Sequence, residues 1–179
     1  DVYKNFTIKN GTLNTATWGV WTQNENVAFT LESDATINAD CDTKLTNAPG
    51  VIVVQGAVVN IMGTVTAKHN FAVSGNGTDG WGNVEINIAD KANISTTEDA
   101  PALYFPNTTS LNITGGTIIG GTGVYIKSGD VNISGGNITG KGPRVSYKFY
   151  GNGANSTGDA LVVEKCNYPG RAPEITITG

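Results

Sequence analysis

Short alternations of apolar and polar residues recur along this chain, separated by turn residues. The clearest copies are Leu111-Asn-Ile-Thr-Gly-Gly and Val131-Asn-Ile-Ser-Gly-Gly, in which an aliphatic residue, a polar residue and an isoleucine precede two glycines. Weaker copies are Val58-Val-Asn-Ile and Val84-Glu-Ile-Asn-Ile. A period of two predicts β-strands with one buried face, and no window keeps a helical period long enough to predict a helix.

A second short apolar run lies between successive copies of the first motif. Its copies include Gly19-Val-Trp-Thr, Gly50-Val-Ile-Val, Pro101-Ala-Leu-Tyr, Gly123-Val-Tyr-Ile and Asp159-Ala-Leu-Val. The unit returns after 20 to 30 residues, except for a last step of 44 residues from Ile133 to Ile177. Repeats of this length indicate a solenoid whose units bury their apolar faces only against neighbours. Three short strands in each repeat are typical of a parallel β-helix. We therefore predict an all-β solenoid of about six coils of 20–30 residues plus a partial seventh.

The first motif predicts a polar column on the outside of the solenoid. If Val131 and Ile133 face the core, Asn132 faces outward, and the equivalent residues stack along one face. The column contains Thr7, Thr30, Asn60, Asn87, Asn112, Asn132 and Thr176. Stacked Asn and Thr side chains form hydrogen-bonded ladders, which fix the register of the strands. The alternative is a flat array for ice or a repetitive glycan, but Lys9, Glu32 and Met62 in the neighbouring column interrupt that flatness.

The second motif predicts an apolar strip on another face. If Val124 and Ile126 point inward, Tyr125 and Lys127 point outward, and the equivalent outward residues include Trp21, Ile52, Leu103 and Phe105. Such a strip is too apolar for the bare surface of a monomer. Three explanations remain open: a homo-oligomer, dimer or trimer, formed through this face, a cover of long loops, or an alignment shifted by one residue.

Further aromatic residues lie in the loops. Trp81 stands between two glycines, and Tyr147 and Tyr150 lie in the longest insertion. Loops on a rigid scaffold concentrate binding residues, and aromatic rings beside polar groups suit the faces of sugars. The alternative is that these rings only cap the solenoid or pack the insertion. The candidate ligand-binding or interface residues are therefore Trp21, Ile52, Leu103, Phe105, Tyr125, Trp81, Tyr147 and Tyr150.

Composition bounds the class of protein. With 179 residues, 39% of them hydrophobic, the chain can bury one core, and we predict one domain over residues 1–179. The chain opens and stops inside strand patterns, so we expect it to be a piece of a longer repetitive protein. The net charge is −4 and no basic run occurs, which argues against a nucleic-acid partner. No apolar stretch is long enough to predict insertion into a membrane.

The two cysteines, Cys41 and Cys166, are predicted to be free thiols. They lie four to five coils apart in the predicted solenoid, and coils stack at about 4.8 Å. The resulting separation of about 20 Å is too large for a disulfide, which needs Cα atoms within about 7 Å.

The sequence predicts no catalytic centre, metal site or cofactor. A glycosidase needs two facing carboxylates, but the acidic residues are scattered and most occupy turns, with Glu98-Asp99 as the best remaining pair. Lys127 stands isolated, and the single histidine, His69, has no obvious partner, so we interpret it as a solvated turn residue. The sequence lacks the Cys/His spacing of metal sites and the nucleophile elbow of hydrolases.

One continuous stretch of the chain resembles right-handed parallel β-helix repeats of the pectate-lyase-like superfamily. It runs from Leu111-Asn-Ile-Thr-Gly-Gly-Thr-Ile-Ile-Gly-Gly through Thr122-Gly-Val-Tyr-Ile-Lys-Ser-Gly to Asp130-Val-Asn-Ile-Ser-Gly-Gly. Asn155-Ser-Thr-Gly-Asp-Ala-Leu-Val-Val-Glu is similar to the same group. The resemblance covers nearly the whole chain and is strongest to the non-catalytic versions in surface proteins of Gram-positive gut bacteria and in virion fibres of their phages. Enzymes of the superfamily carry Asp clusters, or a Gly-His-Gly and Arg-x-Lys pair, that this chain lacks.

This resemblance implies a right-handed coil and an extracellular location, on a bacterial cell surface or a phage virion. The expected function is a non-enzymatic adhesion or display module that binds a glycan or another surface partner. The alternatives are a fragment of a polysaccharide lyase or hydrolase and a structural segment of an oligomeric fibre. The motifs specify the fold and leave the ligand open.

Overall fold

The computed structural model describes residues 3–40, 50–77, 83–97, 99–144, 155–164 and 171–179. These residues form β-strands joined by turns and irregular segments, and none of them lies in a helix. The prediction of an all-β fold is therefore confirmed. In the same ranges there is accordingly no helix with the length and apolar character needed to cross a membrane.

The described residues contain seventeen strands. They are Phe6–Thr15 (β1), Val20–Thr22 (β2), Ala28–Ala39 (β3), Ile52–Val54 (β4), Val58–Ile61 (β5), Thr64–Ala67 (β6), Val73–Gly75 (β7), Glu85–Ile88 (β8), Asn93–Ser95 (β9), Pro101–Phe105 (β10), Ser110–Ile113 (β11), Thr117–Gly120 (β12), Thr122–Ile126 (β13), Asp130–Ile133 (β14), Asn137–Gly140 (β15), Leu161–Val163 (β16) and Glu174–Ile177 (β17).

The strands pair in parallel and form two sheets. The six-stranded sheet has the order β16-β13-β10-β7-β4-β2, and we call it the aromatic face. The eleven-stranded sheet divides at β3, because Ala28–Leu31 pairs with β5 whereas Thr36–Ala39 pairs with β6. Strand β1 runs along both parts of β3, with a register shift between Ile8 and Asn10.

The two branches of the eleven-stranded sheet carry different polar residues. The Asn face consists of β5, β8, β11, β14 and β17 with the first parts of β1 and β3. The Thr face consists of β6, β9, β12 and β15 with the second parts of β1 and β3. In each ladder the paired strands are equivalent strands of successive sequence repeats.

All three faces contribute to one hydrophobic core. Ile113 of the Asn face, Ile118 of the Thr face and Val124 of the aromatic face are fully buried in the same cluster. Burying a side chain of this size stabilises the fold by about 1.5–3 kcal/mol relative to leaving it exposed. The predicted inward orientation of the first motif is confirmed, since Leu111, Ile113, Val131 and Ile133 are buried whereas Asn112 and Asn132 are not.

The second glycine of the repeated Gly-Gly pair has a conformational role. Gly116 has φ +83°, and a Cβ atom there would lie 2.7 Å from the carbonyl oxygen of Ala92 in the preceding repeat. Gly136 occupies the equivalent turn with φ +96°. Only glycine adopts this conformation without strain and lets the two backbones approach, which explains why the pair recurs in the motif.

The predicted outward strip on the aromatic face is wrong at Ile52, Leu103 and Phe105. Strand pairing aligns Ile52 and Leu103 with Val20 and Val124, and Ile52, Leu103 and Phe105 are fully buried in the main core. The runs around these residues are apolar on both faces of the strand, so their alternation does not mark the inward side. A shift of one residue in the alignment then exchanges the two sides of the strand.

Candidate functional site

The polar column on the Asn face forms the predicted ladder. The side-chain amide of Asn87 donates to Oδ1 of Asn60 (3.0 Å), Asn112 donates to Asn87 (2.9 Å), and Asn132 donates to Asn112 (3.1 Å). Asn60 in turn donates to the hydroxyl of Thr30 at 3.4 Å. The amides on this face are therefore largely engaged with one another, and they connect successive repeats.

The Thr face carries a second polar array that the sequence motifs did not single out. We call it the Thr array and define it by two columns of outward residues in register. The first column is Thr12, Thr36, Thr64, Asn93, Thr117 and Asn137, and the second is Asn14, Asn38, Thr66, Ser95, Ile119 and Thr139. Its sequence signal is a polar residue, an aliphatic residue and a polar residue after each Asn-face strand, as in Asn137-Ile-Thr.

Two tryptophans lie together at the edge of the aromatic face. The rings of Trp18 and Trp21 are in edge-to-face contact, with centroids 4.9 Å apart, and Trp18 is 42% exposed. The indole N–H of Trp21 donates to the buried side-chain oxygen of Gln55 at 2.7 Å, and Thr15 donates through its hydroxyl to the carbonyl oxygen of Trp18 at 2.9 Å. Both rings are therefore held in defined positions.

Gly19 explains how the chain places these two rings. A Cβ atom at this position would lie 2.4 Å from a methyl group of the buried Ile37. The backbone between Trp18 and Trp21 therefore passes against the core, where no larger residue fits.

A cavity of about 470 Å³ adjoins Gly19 and Val20, the two residues that separate the tryptophans along the chain. It is lined by Tyr3, Lys4, Asn5, Phe6, Leu13, Gly19 and Val20. Tyr3 is 60% exposed and Phe6 is 47% exposed. We call Tyr3, Phe6, Trp18 and Trp21 the aromatic end. Two of these rings, Tyr3 and Phe6, line the cavity together with the side-chain amide of Asn5 and the ammonium group of Lys4.

Tyr125 lies on the outer side of the aromatic face, as predicted, but it is fully buried. Its ring contacts Tyr104, which stacks on Phe71 at a centroid distance of 5.0 Å. The hydroxyl of Tyr125 donates to one carboxylate oxygen of the buried Glu164. This outer cluster is packed, so Tyr125 presents no ring to solvent.

Lys127 was expected to be isolated, and this expectation is wrong. Its ammonium nitrogen is fully buried and lies 3.7 Å from the second carboxylate oxygen of Glu164. A buried lysine is stable only with a partner, since removing its charge from water costs several kcal/mol. Strand pairing puts Ile126 beside Val163, so Lys127 and Glu164 come next to each other in register, a pairing that the shifted alignment of this face concealed.

His69 also has a partner, contrary to the expectation from sequence. Its Nδ1 lies 2.9 Å from a carboxylate oxygen of Asp99, and its backbone N–H donates to the hydroxyl of Thr97 at 2.8 Å. The Thr97 hydroxyl also donates to Asp99 at 2.5 Å. His69 has φ +64°. These bonds join the turns of two successive repeats.

The environment of Asp99 favours its ionised form. Partial burial raises the pKa of Asp99, but the hydrogen bonds from Thr97 and His69, together with the positive charge of a protonated His69, outweigh it and bring the pKa below its usual value of 3.8. Among the described residues, no three His, Cys, Asp or Glu side chains come together in a way that could hold a metal ion.

Three predicted site residues and both cysteines cannot be placed in this geometry. Trp81, Tyr147 and Tyr150 lie outside the described residues, and so do Cys41 and Cys166. The prediction of two free thiols stays a prediction. Of the five candidate site residues that the structure describes, Trp21 is the one that belongs to a partly exposed cluster.

Comparisons with known proteins give the chain no relative. No protein-family model, no curated protein and no solved structure matches it. The functional argument therefore depends on the residues and their geometry.

Proposed function

We propose that the chain is a right-handed parallel β-helix of about six coils with a partial seventh, similar to the pectate-lyase-like repeats. Three ladders support this proposal, because each pairs equivalent strands of successive repeats and all of them share one core. The whole of residues 1–179 then forms one rod. We further propose that the rod stands on a bacterial cell surface or a phage virion.

We propose that this rod is a non-enzymatic adhesion or display module, and that it binds a glycan at the aromatic end. The observation that carries the proposal is the fixed pair of Trp18, which is exposed, and Trp21, which is half-buried. Sugar rings present C–H patches beside hydroxyl groups, and an aromatic ring with polar neighbours complements both. Gln55 holds one indole, and the cavity next to Gly19 is lined by Lys4 and by Asn5, whose side-chain oxygen accepts from the backbone N–H of Ala28.

The rigidity of the pair favours binding. Ordering a mobile side chain on association costs about 0.5–1.5 kcal/mol, and a ring already held in place avoids most of that cost. Trp18 is anchored through its backbone and through Trp21, so its exposed face is ready for a partner. The cavity volume of about 470 Å³ lies within the range of small-ligand sites, roughly 300–1,000 Å³.

A glycan array with the protein and a Trp18→Ala variant tests this function. The wild-type chain should bind a defined set of glycans, and Trp18→Ala should weaken that binding at least tenfold. Ile177→Ala is the matched control, because it removes a hydrophobic side chain of similar exposure, 59% against 42%, from the last strand. Absence of any glycan signal for the wild type, or equal binding by both variants, would contradict the proposal.

Two further measurements on the same proteins separate the alternatives. Reducing-end assays on every glycan that binds should detect no cleavage, whereas turnover would indicate a lyase or hydrolase fragment. Light scattering should give the mass of a monomer. A dimer or trimer that becomes a monomer in Trp18→Ala would instead make the aromatic end an assembly surface of a fibre.

A further inference from the structure

The Thr array forms a regular two-dimensional lattice. Successive strands of a sheet lie about 4.8 Å apart, and residues two apart on one strand are separated by about 6.7 Å. The array has six rows and therefore extends about 24 Å along the stack. Its strands β3, β6, β9, β12 and β15 pair without a register shift, so the rows stay aligned.

The hydrogen-bonding groups of this lattice are mostly available. Asn38 donates to Asn14 at 3.2 Å. Within the described part of the chain, the side chains of Thr36, Thr64, Thr66, Thr117 and Thr139 form no hydrogen bond to the protein. The reason is geometric: stacked threonines in the same rotamer place their hydroxyls one strand spacing, about 4.8 Å, apart, which exceeds the roughly 2.7–2.8 Å typical of an O–H···O bond.

This availability distinguishes the Thr face from the Asn face. The longer asparagine side chain can reach the next repeat, so the amides of Asn60, Asn87, Asn112 and Asn132 bond to one another. The shorter threonine side chain leaves its hydroxyl to water. Each row of the Thr array therefore offers hydroxyl groups to water at positions that repeat with the strand spacing.

The chemistry of the array favours a lattice of water over a sugar. None of its side chains is charged and none is aromatic. Exchanging bound water for a sugar hydroxyl gains little free energy, and the apolar ring that usually stabilises a bound sugar is absent. Water molecules bound to the array at regular positions can become part of an ice crystal without being displaced from the protein. The array carries no charge, and neither does the lattice of ice.

We propose that the Thr face binds ice through the Thr array. The strand spacing of about 4.8 Å is close to a repeat of water oxygens in hexagonal ice, and the threonine methyl groups exclude disordered water between the anchored positions. The Thr array has no charged or long side chains, whereas Lys9, Glu32 and Met62 interrupt the Asn face. This inference is independent of glycan binding at the aromatic end.

Partition into a slowly growing ice front tests the proposal. The fluorescently labelled chain should enter the ice, whereas albumin should be excluded. Thr66→Tyr places a bulky ring in the middle of the exposed array and should reduce the incorporated fraction at least tenfold. Thr176→Tyr is the matched control, because it makes the same substitution at an exposed outward position of the Asn face and should incorporate like the wild type.

Circular dichroism identifies folded variants, and Ser95→Tyr replaces Thr66→Tyr if the latter does not fold. Exclusion of the wild-type chain from ice, at the level of albumin, would overturn the inference. Equal incorporation of the array variant and Thr176→Tyr would overturn it as well. Array-dependent binding to crystalline cellulose or chitin, with exclusion from ice, would assign this face to a polysaccharide instead.

Discussion

The Asn ladder allows a sharp prediction about stability. Asn87 donates to Asn60 at 3.0 Å and to Glu85 at 2.8 Å, and it accepts from Asn112 at 2.9 Å. Replacing Asn87 with alanine removes these three bonds and leaves groups of all three neighbours without their partner. Asn132→Ala, at the end of the ladder, removes the donor of one bond, at 3.1 Å, on an exposed residue.

The expected magnitude follows from these counts. A hydrogen bond contributes about 0.5–1.5 kcal/mol net, and water replaces part of it at a half-exposed site. We therefore expect Asn87→Ala to lower the free energy of unfolding by about 2 kcal/mol and Asn132→Ala by about 0.5 kcal/mol. With an m-value of about 2 kcal/mol/M in urea, the unfolding midpoint of Asn87→Ala should fall by about 1 M.

Urea titration of the three proteins, followed by both tryptophan fluorescence and circular dichroism, measures this difference. Coincident transitions by the two probes establish that one free energy describes the unfolding. If both substitutions cost the same, or if Asn87→Ala costs less than Asn132→Ala, the ladder does not stabilise the stack in the way argued.

Two more predictions concern the turns. Gly116→Ala should destabilise the fold by several kcal/mol, because the new Cβ would meet the carbonyl oxygen of Ala92 at 2.7 Å. Gly11→Ala has a similar φ of +89° and nothing within 4 Å of the new Cβ, so it should cost only the backbone strain of about 1 kcal/mol. Equal melting temperatures of the two variants would refute this reasoning. The folded-state pKa of Asp99 lies below its usual 3.8, so its stabilisation is complete above about pH 4 and is lost as the pH falls through the lower folded value. Asp99→Asn should therefore reduce the acid dependence of stability below pH 4, as measured by urea titration against pH, and an unchanged profile would exclude this role.

Much of the fold can be read from short-range pattern. Alternation at the first motif identifies the strands and their buried side, as Leu111 and Ile113 illustrate. Equivalent asparagines in successive repeats indicate the ladder, since a repeat stacks each residue on its own copy. The turn glycines follow from the same repeat, because the close approach at Gly116 recurs at Gly136.

The candidate site depends on contacts that the pattern does not encode. Trp21 is apparent as an outward aromatic residue, but its contact with Trp18 and its bond to Gln55 arise from the turn at Gly19 and from the neighbouring strand. His69 and Asp99 are 30 residues apart in sequence, and no local rule connects them. The stacking of successive turns brings them together.

The sequence by itself determined the all-β class, the repeat and the ladder on the Asn face, because these depend on the alternation of side chains along each strand and on identical residues at equivalent positions. Only the tertiary structure decided the register of the aromatic face, where Ile52 and Leu103 turn inward. In those strands both sides are apolar, so local sequence assigns neither side to the core. Which side of these strands faces the core is decided by their contacts with neighbouring strands and with the shared core. The backbone must make all of these contacts at the same time.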